Sequence, residues 1–214
     1  MTLLNKLSRI RRSAAWFALL FLTGCTGVPE GVEPVRGFEL ERYLGTWYEI
    51  ARLDHSFERG LSDVTATYAM REDGGVRVLN RGYSISEQSW NEAEGKAYFV
   101  GDEGVGHLKV SFFGPFYGAY VVFGLDREDY QYAFVAGPDT SYLWLLAREP
   151  QVSEQVLQLF ITRAGELGFA TDVLIYVVHS GKVPMLGQRR LLRNVFPKRW
   201  DNRAGPVARP SALS

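Results

Sequence analysis

Reactive side chains are scarce in this chain, which has one cysteine, Cys25, and three histidines, His55, His107 and His179. A single thiol cannot close a disulfide within the chain, and three scattered histidines do not supply the clustered ligands of a metal site. No metal and no cofactor are expected. The one place where acid, base and hydroxyl adjoin is Asp54-His55-Ser56. A catalytic triad needs side chains converging in space, and neighbours in an extended segment point apart, so His55 is read as a solvated loop histidine. His107 and His179 are expected near strand ends. With Cys25 outside the folded part, no thiolate remains for nucleophilic catalysis. These residues favour binding over chemistry, and the chain is read as no enzyme.

Cys25 has a different use. Lys6, Arg9, Arg11 and Arg12 form a positive start, and an apolar stretch over 14–22 follows that is too short to span a bilayer. It ends in Leu22-Thr23-Gly24-Cys25, which resembles the lipobox of bacterial lipoprotein precursors. That resemblance implies a signal peptide over 1–24, export, and acylation of Cys25; two or more acyl chains anchor stably where one does not. Thr26, rather than an aspartate, follows the cysteine, which favours the outer membrane, with the domain facing the periplasm. Residues 25–36 hold two prolines and two glycines without a usable period, and read as a lipidated tether.

The formal net charge of zero hides three unlike regions: +4 over 1–25, −11 over 26–180 and +7 over 181–214. An acidic body repels a phosphate backbone, so nucleic acid is excluded as its partner. The basic tail, rich in Pro, Gly and Arg, is expected to be disordered.

The elements that must position any site are strands. Short β-type segments are expected near 45–53, 63–70, 76–84, 94–100, 107–112, 117–125, 130–136 and 142–148, broken by turn chemistry such as Glu72-Asp73-Gly74-Gly75, Asp126-Arg127-Glu128-Asp129 and Gly137-Pro138-Asp139. Eight strands joined by short hairpins suit an all-β, antiparallel up-and-down barrel holding one small ligand. The run 142–147 is apolar on both faces and needs an outer cover. A helix capped by Ser153, with Val156, Leu159, Phe160 and Leu167 as its stripe and Gly168 as its end, supplies it. A last short strand over 173–178 is expected to return to the wall. The domain is thus read as 37–180.

Gly45-Thr46-Trp47 at the start of the first strand and Arg148 at the end of the eighth resemble the G-x-W and terminal arginine signatures of the lipocalins. The order adds weight: G-x-W, hairpins, Leu125-Asp126-Arg127-Glu128, then Leu146-Ala147-Arg148, then a helix. The wording of 43–52, 57–60, 109–117 and 142–144 is similar to the bacterial lipocalins, which are outer-membrane lipoproteins, with apolipoprotein D more distant. The resemblance covers about 36–180 and implies that Gly45, Trp47 and Arg148 close the barrel floor, the arginine lying over the indole. Alternation and barrel topology then nominate Ala66, Tyr68, Val78, Asn80, Val110, Phe112, Tyr120, Val122, Tyr142 and Trp144 as cup-facing. The set is aromatic with few polar groups, which suits an acyl chain; the resemblance points to a lysophospholipid or fatty acid, stored or transported. Two rivals stand beside this: a membrane-anchored interaction module with an incidental cavity, and a lipocalin-type enzyme, which lacks its cavity cysteine here. A homodimer is compatible with the sequence.

Overall fold

The computed structural model of the chain describes residues 26–179. The leader, Cys25 and the basic tail of 181–214 lie outside the described residues. After a one-turn helix α1 (Leu40–Tyr43) come β1 (Gly45–Arg52), β2 (Leu61–Met70), β3 (Val76–Ser84), β4 (Ser89–Phe99), β5 (His107–Ser111), β6 (Gly118–Leu125), β7 (Tyr132–Ala136) and β8 (Leu143–Ala147). Then follow α2 (Glu154–Glu166), a 3₁₀ turn (Thr171–Val173) and the two-residue β9 (Ile175–Tyr176).

Each strand pairs antiparallel with the next, and β1 pairs with both β2 and β8, so the eight strands close into a barrel. Turn chemistry explains the hairpins. Asp73, Asp102, Asp126 and Asp139 each accept the backbone N–H two residues on, from Gly75, Gly104, Glu128 and Ser141, so a carboxylate holds the chain reversal that the sequence leads one to expect. The seam is uneven. β1 pairs with β2 only from Gly45 to Tyr48; above that point β9 takes over, with Ala51 opposite Tyr176 and Arg52 opposite Ile175. The expected closing strand over 173–178 is thus a 3₁₀ turn followed by a short patch on β1.

Two apolar layers use opposite faces of one sheet. Outside, Ile50, Ala51, Phe123, Phe134, Leu143 and Leu145 pack against Leu157, Phe160 and Ala164 of α2. Ser153 caps the helix by accepting from Val156 N–H at 3.3 Å. The buried stripe is 157-160-164 rather than the expected 156-159-160-167: Leu159 is 43% exposed, because the helix turns its small Ala164 toward the wall and swings Leu159 out.

Inside, Gly45, Trp47 and Arg148 meet at the floor. Trp47 is fully buried and its Nε1 donates to the Tyr43 carbonyl at 2.8 Å. The Arg148 guanidinium lies 3.9 Å from the indole centroid and donates to the carbonyls of Arg42, Leu44 and Thr46. Gly45 has φ +95°, and a Cβ there would sit 3.3 Å from Arg148 Nη1, so both backbone and space call for glycine.

Residues 26–36, expected as a tether, lie along the wall. His107 Nε2 and the Thr26 carbonyl oxygen are 3.0 Å apart, Val35 N–H donates to Val122 O at 2.8 Å, Gly106 N–H donates to Val35 O at 2.9 Å, and Val32 joins the outer layer. Backbone groups that the β5–β6 pairing leaves over find partners here.

Trp47→Ala removes both an indole and the plate beneath Arg148, and is expected to lower the unfolding free energy by about 3–5 kcal/mol. Urea unfolding measures it, and a change near zero contradicts a floor role.

Candidate functional site

The inner layer gathers side chains from every strand of the barrel. Tyr68, Val78 and Val122 are buried there, while Ala66, Val110, Phe112, Tyr120 and Trp144 pack against it with partial solvent access. Asn80 stands opposite Ala66 in register and shares the face of Val78. Tyr142 sits at the mouth just before β8, its ring 6.2 Å from Trp144. The structure therefore brings nine of the nominated positions to the inner face, spread from near the floor to the mouth, and sets Tyr142 at the mouth.

Polar groups on that face lie at two depths. Near the floor, Tyr120 Oη is 2.7 Å from Tyr43 Oη and 2.8 Å from Tyr68 Oη. Burial pushes all three phenols up from their ordinary range, so they act as neutral hydroxyls, able to donate one hydrogen bond each.

Toward the mouth sits a charged cluster that alternation did not find. The β1 register shifts between Glu49 and Ala51. This bulge sends both Ile50 and Ala51 outward and brings Glu49 and Arg52 together on the inside. Arg52 is 2% exposed and donates from Nη1 to Glu49 Oε1 at 2.7 Å and from Nη2 to the Glu58 carbonyl at 2.7 Å. Its Nε is 3.8 Å from Glu58 Oε2 and has no hydrogen-bond partner. Glu58 Oε2 also accepts from Trp144 Nε1 at 3.1 Å.

Burial, and then the charge of Glu58, raise the Glu49 carboxyl well above the usual carboxylate range, against the pull of Arg52. Burial also raises Glu58, opposed by Trp144 and Arg52. Both carboxyls face the one Arg52 guanidinium, and burial with the neighbouring negative charge favours a proton on Glu49. The neutral arrangement is a protonated Glu49 beside an ionised Glu58 that balances Arg52.

The loop 53–60 that carries Glu58 folds over this cluster. His55, read from sequence as solvated, is 6% exposed. Its ring stacks on Phe57 at 5.2 Å and Tyr142 at 4.7 Å and lies 4.9 Å from Trp144. Burial, with Arg52 nearby, lowers its pKa and keeps it neutral, so an aromatic neighbourhood wins over hydration. Asp54 points instead to Arg59, and Asp54, His55 and Ser56 do not converge.

At the other end a cleft of about 290 Å³ lies outside the floor, lined in part by Glu39, Glu41, Glu103 and Phe99. Its glutamates suit water better than an apolar guest. Among the described residues no group of three or more His, Cys, Asp or Glu is placed to hold a metal ion.

The proton on Glu49 carries a pH signature. In the unfolded chain Glu49 titrates near about 4.3, and in the fold well above that. The folded state holds the extra proton between the two values, so this contribution to stability is full below the unfolded value and is lost as pH rises through the folded one. The slope within the window is about −1.4 kcal/mol per pH unit for one proton. Glu49→Gln keeps the shape of the neutral acid and is expected to flatten that part of the curve. Urea unfolding of both proteins across pH 4 to 8 checks it, and parallel curves contradict the assignment.

Comparison with known proteins agrees with this geometry. Residues 38–179 match the model of the Lipocalin-like domain. The chain is 65% identical to the outer membrane lipoprotein Blc of Vibrio cholerae serotype O1 over 158 residues, covering 74% of this chain and 92% of the relative. It is 51% identical to outer membrane lipoprotein Blc of Escherichia coli K12 over 170 residues, covering 78% and 96%. Insecticyanin from the tobacco hornworm Manduca sexta shares the fold, with a TM-score of 0.58, 22% identity and coverage of 72% and 87%. A closed eight-stranded barrel, an arginine laid over a floor tryptophan, a helix on the outer wall and these matches together place the chain in the lipocalin family.

Proposed function

We propose that this protein is a lipid-anchored lipocalin that holds one small amphiphile, a lysophospholipid or a fatty acid, inside its barrel, for storage or transport at the outer membrane, on the periplasmic side. One observation carries the reading. The inner face is aliphatic and aromatic through its middle, at Ala66, Val78, Val110, Phe112 and Val122, with Glu49, Arg52 and Glu58 gathered toward the mouth and Arg148 alone at the floor, spent on Trp47 and three carbonyls. An acyl chain gains by burial in the middle at roughly 0.8 kcal/mol per CH₂. A polar head avoids the desolvation cost by staying with the charges and with Asn80, Trp144 and Tyr142. The hydroxyls of Tyr68 and Tyr120 sit deeper.

The anchoring part rests on Leu22-Thr23-Gly24-Cys25 and on relatives that are named outer membrane lipoproteins. The protein works here by binding alone, with no cofactor, and its acidic body is no surface for nucleic acid. A homodimer is compatible with one ligand per barrel.

Titration with a long-chain lysophospholipid is expected to change tryptophan fluorescence, and Trp144→Phe to remove most of that change while the fold persists. Saturation at about 100 times Kd adds roughly 2.7 kcal/mol to stability. If neither fluorescence nor melting temperature responds, and purified protein carries no extractable lipid, the barrel is an interaction module with an incidental cavity. Cys25→Ser is expected to leave the protein unprocessed or to move it from the membrane to the soluble fraction, read by fractionation in high salt. Wild-type membrane retention contradicts the anchor.

A further inference from the structure

Two buried nitrogens toward the mouth, Arg52 Nε and His55 Nε2, have no hydrogen-bond partner among the described residues. Arg52 Nε is 3.8 Å from Glu58 Oε2, an ion pair too long for a hydrogen bond, and the His55 ring lies 4.9 Å from Trp144. Glu58 Oε2 and Trp144 Nε1 are themselves bonded at 3.1 Å, so both orphans border one carboxylate–indole pair. The other guanidinium nitrogens are engaged, Nη1 on Glu49 Oε1 and Nη2 on the Glu58 carbonyl, each at 2.7 Å. Trp144 belongs to the inner layer and keeps partial solvent access. Glu58 is the least buried of the three charged groups, with its side chain 9% exposed against 4% for Glu49 and 2% for Arg52. A head that reaches Trp144 from the cup therefore meets Glu58 before it meets the cation.

The seat that the Glu58 carboxylate fills has the chemistry of an oxyanion site. Indole and guanidinium N–H groups donate and never accept, and here they face one carboxylate oxygen. Net charge sets the terms on which another oxyanion can take that place. Arg52 stays cationic at any ordinary pH, and with Glu49 protonated one carboxylate balances it. A second anion beside Arg52 would leave an excess negative charge in a buried place. The Glu58 backbone is pinned to the cluster, its carbonyl by Arg52 Nη2 and by Leu61 N–H at 3.2 Å, its N–H by the His55 carbonyl at 3.1 Å. Its carboxyl therefore stays, and a proton from solvent is what relieves the charge; burial already raises that carboxyl toward protonation. A protonated Glu58 turns from acceptor to donor. Its O–H, the Arg52 Nε–H and the released Trp144 N–H then serve the incoming oxyanion together.

We propose that the Glu58 carboxylate holds the seat of a ligand's head, that the seat takes a singly charged oxyanion on an acyl chain, and that one proton is taken up for each such head bound. Arg52 is then the residue that sets head-group specificity. This rests on the carrier function proposed above. A fatty-acid carboxylate and a lysophospholipid phosphodiester share the required chemistry. An oxyanion head binds more weakly as pH rises, because Glu58 must then recover a proton that solvent holds less of, whereas a neutral head needs none. The neighbouring groups do not supply this dependence. Burial and then Arg52 lower His55, so it stays neutral above its ordinary range. Asp54 is paired with Arg59, and Asp139 accepts from Ser141 N–H. Burial raises the Tyr68 phenol, which stays neutral, and Tyr142 stacks on His55. His179, bonded through Nε2 to the Glu49 carbonyl, stands behind β1 and acts on every head alike.

The test is isothermal titration calorimetry on residues 25–214 with Cys25→Ser, in pairs of buffers of unlike ionisation enthalpy, which counts the protons taken up. The probes are tetradecanesulfonate, whose head stays ionised throughout, and monomyristoylglycerol, with a chain of equal length and a neutral head, both below their micelle-forming concentrations. The sulfonate is expected to take up about one proton, and its Kd to rise by up to about tenfold per pH unit between pH 6 and 8. The glyceride is expected to take up none and to keep a level Kd. Arg52→Met is expected to abolish the proton uptake and to lower the preference for sulfonate over glyceride at pH 6 by more than about tenfold. Should that variant fail to fold, the proton count of the unsubstituted cluster decides alone. Myristate and lysophosphatidylglycerol, counted in the same way, separate the two natural sources. Equal pH profiles for the two probes, or sulfonate bound without proton uptake, overturn the oxyanion seat and leave the carrier function standing. Binding of neither probe strikes the carrier function and the seat with it.

Discussion

A guanidinium inside a β-barrel cannot shed its charge, and the upper half of this structure is arranged around that constraint. Arginine stays protonated at any ordinary pH, so Arg52, buried at 2% exposure, must be neutralised where it stands. Glu49 reaches it because the β1 bulge places residues 49 and 52 on one side. Glu58 reaches it only because the loop after β1 turns inward, and that turn carries His55 onto Tyr142 and Trp144. Two carboxylates facing one cation would leave an excess negative charge in a poorly solvated place, and one proton on Glu49 removes it. The bulge, the folded-in loop, the aromatic stack and that proton are thus consequences of a single charge. Replacing one partner leaves the others unpaired, which is why such clusters hold a particular loop geometry more than they add stability.

The same sheet meets opposite demands on its two faces. Outside, Phe123, Phe134 and Leu145 are 2% exposed or less and lie under α2 with Phe160. This is a dry, close-packed layer of the kind that stabilises a domain. Inside, Ala66, Asn80, Val110, Phe112, Tyr120 and Trp144 keep solvent access. β8 belongs to both layers, with Leu143 and Leu145 outward and Trp144 and Leu146 inward, and its unbroken apolar run is the sequence image of that double burial.

Regular parts of the fold were legible because their rules are local. Period-two alternation, aspartate and glycine at turns, and a serine before an apolar helical run place α2 and the strands within about two residues, except β4, expected near 94–100, which starts at Ser89 because its first six residues are exposed and carry no apolar alternation. The floor was legible through Gly45, Trp47 and Arg148. The charged cluster was hidden by the same rule that revealed the strands. Strict alternation from Trp47 puts Ala51 inside and Arg52 outside, and a bulge of one residue reverses both. No residue type in Glu49-Ile50-Ala51-Arg52 announces it. His55 was misplaced for a related reason: in Leu53-Asp54-His55-Ser56 it has polar neighbours, and only the long-range meeting with Tyr142 and Trp144 buries it. Residues 26–36 looked like a free tether because Val28, Val32 and Val35 follow no period, yet each finds a separate apolar seat on the wall.

Placing the dry core outside the barrel has a consequence for what the inside can do. A protein whose stability depended on a packed interior would lose it on admitting a guest. Here the layer under α2 holds Ile50, Leu143 and Leu145 separately from the inner cluster, whose lower part is closed by Trp47, Val122 and Val135, so the part of the inner face toward the mouth can carry costly groups and incomplete packing. Arg52 Nε without a hydrogen-bond partner and a protonated glutamic acid at depth are tolerable only under that division. They also mark where the interior is poorest in internal satisfaction. The fold concentrates that deficit at the mouth, between Arg52, Glu58 and His55, and keeps it away from the floor, where Arg148 has three carbonyls and an indole to itself. The inner face therefore offers an unsatisfied donor toward the mouth, at Arg52 Nε, and below it an apolar stretch that ends at the three tyrosines near the floor.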